Sequence, residues 1–250
     1  MASPYGWRAR IAHIRPSLHG IPSCSLQEQR SVAPDGVEFV DAKLIFPETA
    51  EPGVKDEEEA FPMMLRQVAE AAKEVALQKP DLIMQIGGAL SIFRGWGGDK
   101  DIVETIQAAT GIPAVTHGMA EVEALKRMNV HRVVVVTPYA EGVNKALINY
   151  FNGAGLEVVT LNRLGTVRDV YAMSPFGLYR PIKETFLKAL PADGVIMMCG
   201  AIRTFEIIQA LENDLGKPVI TAVQAALWKG LQMVNVRQPI KGYGKLLETF

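Results

Sequence analysis

The stretch Ala192-Asp193-Gly194-Val195-Ile196-Met197-Met198-Cys199-Gly200-Ala201 resembles an earlier one, Pro80-Asp81-Leu82-Ile83-Met84-Gln85-Ile86-Gly87-Gly88-Ala89. Each runs from an aspartate through an apolar strand into small residues. Two more pairs match around them. Gly111-Ile112-Pro113-Ala114-Val115-Thr116 resembles Gly216-Lys217-Pro218-Val219-Ile220-Thr221. Ile14-Arg15-Pro16-Ser17 with Gly20 resembles Val136-Thr137-Pro138-Tyr139 with Gly142. The three matches occur in the same order, which is the mark of an internal repeat. The repeat predicts two similar α/β lobes, 8–130 and 131–250, related by a pseudo-twofold axis and facing each other, with the C-terminal segment packing across the first lobe.

Outward from these segments, short apolar runs alternate with helical patterns. The runs are Ile11–Ile14, Leu82–Ile86, Ala114–Val115, Val133–Val136, Val158–Leu161, Val195–Met198 and Val219–Ile220, with a further strand over 37–46. Helices are expected near 60–78, 99–109, 119–128, 141–152, 180–189, 203–214 and 223–234. Strands apolar on both faces and alternating with helices form parallel sheets covered on both sides. The run Asp56-Glu57-Glu58-Glu59 reads as the first turn of a helix, where acidic residues complement the helix dipole.

Bulk composition narrows the function. The 250 residues are 48% hydrophobic and 21% charged, ample for a large core. The formal net charge is -1 with no basic block, so neither nucleic acid nor an anionic membrane is expected as a partner. Two cysteines, Cys24 and Cys199, are too few for a disulfide framework and fit a reduced, cytoplasmic protein. The N-terminus lacks a secretory apolar core, and no apolar run reaches the roughly 18 residues of a membrane span. The sequence leaves a homo-oligomer open.

In open parallel sheets, ligands bind beyond the carboxyl ends of the strands. All the matched segments are such ends, so two facing lobes would enclose one cleft. Gly87 and Cys199 stand at equivalent places, as do Ser17 and Tyr139. Gly87-Gly88-Ala89 and Cys199-Gly200-Ala201 put small residues where free backbone N–H groups attract an anion. A substrate with one or two carboxylates is the expected ligand.

The stretches Ile86-Gly87-Gly88-Ala89-Leu90-Ser91-Ile92-Phe93-Arg94-Gly95, Val136-Thr137-Pro138-Tyr139 through Val143-Asn144, Asp193-Gly194 through Cys199-Gly200, and the closing Gly242-Tyr243-Gly244-Lys245-Leu246 resemble the aspartate/glutamate racemase superfamily, on its arylmalonate decarboxylase and maleate isomerase branch. The resemblance spans nearly the whole chain. It implies an enzyme without a cofactor. Racemases and maleate isomerases of this group typically carry a cysteine in each half; arylmalonate decarboxylases carry only the second, with glycine at the first. Gly87 and Cys199 follow the decarboxylase pattern. By that resemblance Cys199 donates a proton to an enediolate left after loss of carbon dioxide, and Tyr139 helps hold a carboxylate. Two departures stand out. The family's decarboxylases carry hydroxyl side chains after the first glycine, where this chain has Gly88 and Ala89. A further family tyrosine falls near Phe61. Tyr139 is then the main hydroxyl that survives.

The chemistry agrees with one thiol. Two-base racemisation needs a proton acceptor on one face and a donor on the other, and glycine is neither. Decarboxylation makes its own carbanion, so one positioned acid suffices, with backbone N–H groups at Gly87–Ala89 and Gly200–Ala201 stabilising the enediolate.

Other residues enter with two readings each. His117 follows a strand and either faces the cleft as a second acid/base or caps a helix at the surface. Arg15 and Ser17 end the first strand and suit a carboxylate. His13 reads as a satisfied core residue, and Cys24 as incidental in a loop between strands. Gly95-Trp96-Gly97-Gly98 is either a lid or a plain turn. His19 and His131 are too scattered to build a metal site with His117, and no nucleotide-binding glycine pattern follows the first strand. Three functions remain: a lyase through an enediolate; an isomerase or racemase with His117 or a water as second base; and a carboxylate-binding protein without catalysis.

Overall fold

The computed structural model describes residues 5–18, 20–47, 50 and 57–250. The first lobe runs β1 (Ala9–Ser17), α1 (Cys24–Val32), β2 (Val37–Ile45), α2 (Glu57–Leu65), α3 (Val68–Ala76), β3 (Leu82–Gln85), α4 (Gly88–Ile92), α5 (Lys100–Thr110), β4 (Ala114–Thr116) and α6 (His117–Arg127). The second runs β5 (Arg132–Thr137), α7 (Glu141–Gly153), β6 (Glu157–Arg163), α8 (Val167–Ala172), α9 (Pro175–Lys188), β7 (Gly194–Met197), α10 (Phe205–Leu215), β8 (Val219–Thr221) and α11 (Ala222–Met233). A 3-10 turn, Lys245–Glu248, follows near the C-terminus.

Each lobe holds a four-stranded, all-parallel sheet, ordered β2-β1-β3-β4 in one and β6-β5-β7-β8 in the other. The two orders are the same pattern, so the repeat read in the sequence is a repeat of topology. The central strands are buried along their length, as Val133 to Val136 show, because helices cover both faces. Aspartates lock equivalent strand starts: Asp81 accepts the Arg10 N–H at 2.8 Å, and Asp193 accepts the Arg132 N–H at 2.8 Å.

The lobes grip each other through exchanged contacts. Gly230 of α11 lies against Met84 and Ile11 of the first sheet, where a side chain would meet the Met84 sulfur at 3.0 Å. In return, Glu28 of α1 accepts the N–H groups of Thr204 and Phe205 at 2.7 and 3.0 Å, at the start of α10. Helices α6 and α11, equivalent in the repeat, pack against each other.

Several expectations need correction. Cys24 is the first residue of α1 and buried, not part of a loop. The single helix expected over 60–78 is two. Between them the Gln67 side chain turns to bond both the N–H and the C=O of Ile45 on β2, and α2 carries Pro62. Glu57–Glu59 do open α2, while Asp56 lies outside the described residues, as does His19. Gly20 stands in a turn ahead of α1, whereas Gly142 is inside α7, so that match stops at the proline. His13 is fully buried beside the Phe39 ring, but neither ring nitrogen has a hydrogen-bond partner among the described residues. Burial holds its pKa down to about 3, so it is a neutral core residue and not a satisfied one.

Candidate active site

The carboxyl ends of β1, β3, β5 and β7 meet at a cavity of about 100 Å³. Arg15, Gly87, Ala89, Tyr139, Cys199, Gly200 and Ala201 all line it. Segments distant in sequence complete the wall with Leu18, Ile21, Phe46, Phe61, Met64 and Val167. The chamber is therefore mostly apolar.

Cys199 follows β7 with φ of +90°, a region that costs a non-glycine residue free energy and that recurs at functional sites. Its counterpart Gly87 follows β3 with φ of +112°. Both strand ends thus pass through positive φ, one with a thiol and one without; Gly87 leads straight into α4, whereas Cys199 leads into a turn that reaches α10 only at Phe205. Cys199 is only 7% exposed, its Sγ accepts the Ala201 N–H at 3.4 Å, and it is not in a disulfide.

Tyr139 is 4% exposed, in the loop from β5 to α7. That loop is pinned by a local network. Thr137 Oγ1 accepts the Tyr139 N–H at 3.0 Å and donates to Asn144 Oδ1 at 3.1 Å, while Asn144 Nδ2 donates to the Tyr139 carbonyl at 2.9 Å. The sequence match from Val136 to Asn144 is this network, so the matched residues hold the tyrosine in place.

Two hydroxyls in the wall escaped the sequence reading. Ser23 caps α1 and Ser25 is its second residue; both line the cavity. The Ser25 N–H donates to the Gly200 carbonyl at 3.0 Å, and its Oγ accepts from Gln29 Nε2 at 3.0 Å. The available signal was Pro22-Ser23 ahead of Leu26, a helix-capping serine. Because the segment was read as a loop, it went unused.

Three predicted residues do not line the cavity. Ser17 ends β1 away from the wall, Gly88 lies behind it, and His117 is 0% exposed at the first position of α6. Thr116 caps α6, accepting the Met119 N–H, and so directs His117 into the lobe interface instead of the cleft or the surface. Burial lowers the His117 pKa to about 4, which leaves it neutral at ordinary pH. Arg15 reaches the wall with its charge already paired to Asp41, at 2.8 Å from Nη2 and 3.0 Å from Nε. Trp96 packs edge-on to Tyr150 at 5.2 Å, and the 95–98 loop is a turn that does not line the chamber. Among the described residues no cluster of three or more metal-ligating side chains occurs, and no helix is long and apolar enough to cross a membrane.

The family model for arylmalonate decarboxylase matches residues 40–247, most of the chain and all the cavity turns beyond α1. The chain belongs to the arylmalonate decarboxylase family. It is 25% identical over 194 residues to an arylmalonate decarboxylase of Bordetella bronchiseptica, covering 76% of this chain and 80% of that one. It is also 25% identical over 251 residues to a maleate isomerase of Pseudomonas putida, covering 95% and 96%. In fold it resembles the crystal structure of a mutant arylmalonate decarboxylase in a liganded form, with a TM-score of 0.84 at 22% identity, over 95% of this chain and 98% of that one. A family member with relatives of both kinds is an enzyme of the decarboxylase or isomerase type.

Proposed function

We infer that this family member is a decarboxylase that needs no cofactor and acts on a malonate bearing an apolar substituent, with Cys199 as proton donor. One observation carries the choice over isomerisation. Of two equivalent strand ends, both with positive φ at the cavity wall, only one carries an acid, and Gly87 has no group to take or give a proton. The apolar wall from Leu18 to Val167 supports a bulky hydrophobic substituent over a small dicarboxylate such as maleate.

The reaction follows from these parts. Substrate binds with one carboxylate against the backbone of Ala89 and of Gly200–Ala201 and the Tyr139 hydroxyl. The bond from the α-carbon to the other carboxylate breaks. Its electron pair stays on the α-carbon and spreads into the retained carboxylate as an enediolate, and neutral carbon dioxide departs. An apolar wall favours that step, because it solvates carbon dioxide better than it solvates a carboxylate. Backbone N–H groups stabilise the enediolate charge. Cys199 Sγ–H gives its proton to the α-carbon, and the thiolate is reprotonated by water. Attack from one face gives a product of one hand.

NMR in deuterated solvent with phenylmalonate and maleate tests this. Loss of carbon dioxide from phenylmalonate with one deuterium gained, slowed at least about hundredfold by Cys199→Ser, is expected for a lost general acid. Conversion of maleate to its trans isomer, or α-deuterium exchange without carbon dioxide loss, would replace this reading with an isomerase. Binding of phenylmalonate without turnover, indifferent to Cys199→Ser, would point to a carboxylate-binding protein.

A further inference from the structure

His117 lies directly behind the Gly87–Ala89 turn and touches both lobes. Its Nδ1 accepts the Gly87 N–H at 3.1 Å, and its Nε2 sits 2.7 Å from the Ala222 carbonyl at the start of α11. A backbone N–H aimed at Nδ1 requires a lone pair there, so in the neutral ring the proton is on Nε2, which donates to Ala222. The side chain is fully buried, and it cannot carry a proton on both nitrogens without setting two N–H groups against each other.

The neighbours keep this arrangement fixed. Glu121, one turn along α6, is also fully buried, with Oε1 3.8 Å from His117 Nε2 and neither oxygen hydrogen-bonded among the described residues. Its carboxyl lies against Gly88: a side chain at 88 would meet Oε1 at 3.1 Å. The turn is thus backed by His117 at Gly87 and by Glu121 at Gly88. Its front presents backbone and the Ala89 methyl. Gly88 and Ala89 carry no hydroxyl, so this turn can hold a carboxylate only through its backbone amides.

We propose that His117 is a positioning residue: by holding the Gly87 N–H it fixes the plane of the turn, so that the Ala89 amide points at the substrate carboxylate. This rests on the turn binding a carboxylate, as in the function inferred above. His117 touches no reacting atom. It acts through the Gly87 amide, and it ties that amide to the opposite lobe through Ala222.

Three variants separate its two hydrogen bonds. Asparagine places Oδ1 where Nδ1 stands and keeps the acceptor for Gly87. Glutamine keeps a donor in the Nε2 region for Ala222. Leucine keeps neither. With phenylmalonate, His117→Leu and His117→Gln are expected to lower kcat by about tenfold or more with little change in KM, since the amides act most on the developing enediolate. His117→Asn should recover most of that loss. A folded His117→Leu with wild-type kcat, or equal losses in Asn and Gln, overturns the proposal. NMR of labelled wild-type protein should show Nε2–H and a bare Nδ1, unchanged between about pH 6 and pH 8; a proton on Nδ1 overturns it too. If the wild type does not turn phenylmalonate over, the decarboxylase reading fails on its own. Positioning is then read from the shifts that phenylmalonate induces in the Ala89 amide. Those shifts should persist in Asn and vanish in Leu. Equal shifts in wild type and Leu, or none in the wild type, overturn the proposal.

Discussion

Replacing Glu121 by glutamine removes an acid whose burial has a signature in the pH dependence of stability. Its carboxyl is 0% exposed and has no hydrogen-bond partner among the described residues, and burial raises its pKa well above the ordinary glutamate value. In the unfolded chain the same group ionises at the ordinary value. Between those two points the folded state holds one more proton than the unfolded state, so stability falls as pH rises. The slope is about 1.4 kcal/mol per pH unit. Over the interval in which Glu121 is ionised in the unfolded chain and neutral in the fold, that slope works against the wild type and is absent from Glu121→Gln. His13 and His117 work with the opposite sign. Their folded pKa values, about 3 and about 4, are depressed, so their contribution is complete above the ordinary histidine value and lost as pH falls below it. Neither depends mainly on Glu121, so the difference between wild type and Glu121→Gln isolates the glutamate. Urea denaturation at half-unit steps of pH measures that difference. Glu121→Gln should gain steadily on the wild type as pH rises. Parallel curves would mean that Glu121 ionises in the fold with a compensating partner, and the argument from burial would be wrong.

Two other perturbations test how the cavity is built. Gly87→Ala puts a methyl group 2.9 Å from the Pro16 ring at a φ of +112°. The clash and the left-handed backbone together should cost about 3 kcal/mol in urea denaturation, and a loss below about 0.5 would refute the close packing. Glu28→Ala leaves the Thr204 and Phe205 N–H groups without their acceptor and should cost about 2 kcal/mol, while Glu28→Gln, which keeps an oxygen there, should cost much less. Burial raises the Glu28 pKa to about 7, so its penalty also grows as pH climbs from the ordinary glutamate value to neutrality and is flat beyond. Glu28→Gln should flatten that part of the stability profile.

The sheets were legible because their strands are apolar on both faces and end in the same small-residue turns. Val133–Val136 and Val195–Met198 have no polar position to confuse the period. Helices with little apolar content were not legible. α1, Cys24–Val32, has only four buried residues, and two of them are Ser25 and Gln29. α4 is five residues long, too short for any periodicity. The turns that meet at the cavity were found because the repeat aligned them: Gly87, Ala89, Cys199, Gly200 and Ala201 all line it. The apolar wall was not found. Leu18, Phe46, Phe61 and Val167 come from four separated segments, and only the three-dimensional fold brings them together. The direction of the His117 side chain was not legible, because it depends on where the capping threonine starts α6.

The two halves differ most where they match best. Gly87 and Cys199 end equivalent strands with φ of +112° and +90°. At Gly87 the backbone conformation is cheap, since glycine reaches it freely, and the Pro16 ring leaves no room for a side chain. At Cys199 the same conformation is costly for a residue with a Cβ. If the thiol served only to fill space, glycine there would reach the same positive φ with less strain, as Gly87 does. The second half keeps the strain and keeps the sulfur at the cavity wall. Cys199→Gly separates the two effects in one variant. It relaxes the backbone, which should raise stability by about 1 kcal/mol less the packing lost with one small side chain. It also removes the proposed acid, which should abolish stereospecific protonation. A variant that is no less stable than wild type and yet inactive would tie the strain at residue 199 to chemistry. A less stable variant with full turnover would show that the cysteine is a packing residue in an unusual conformation.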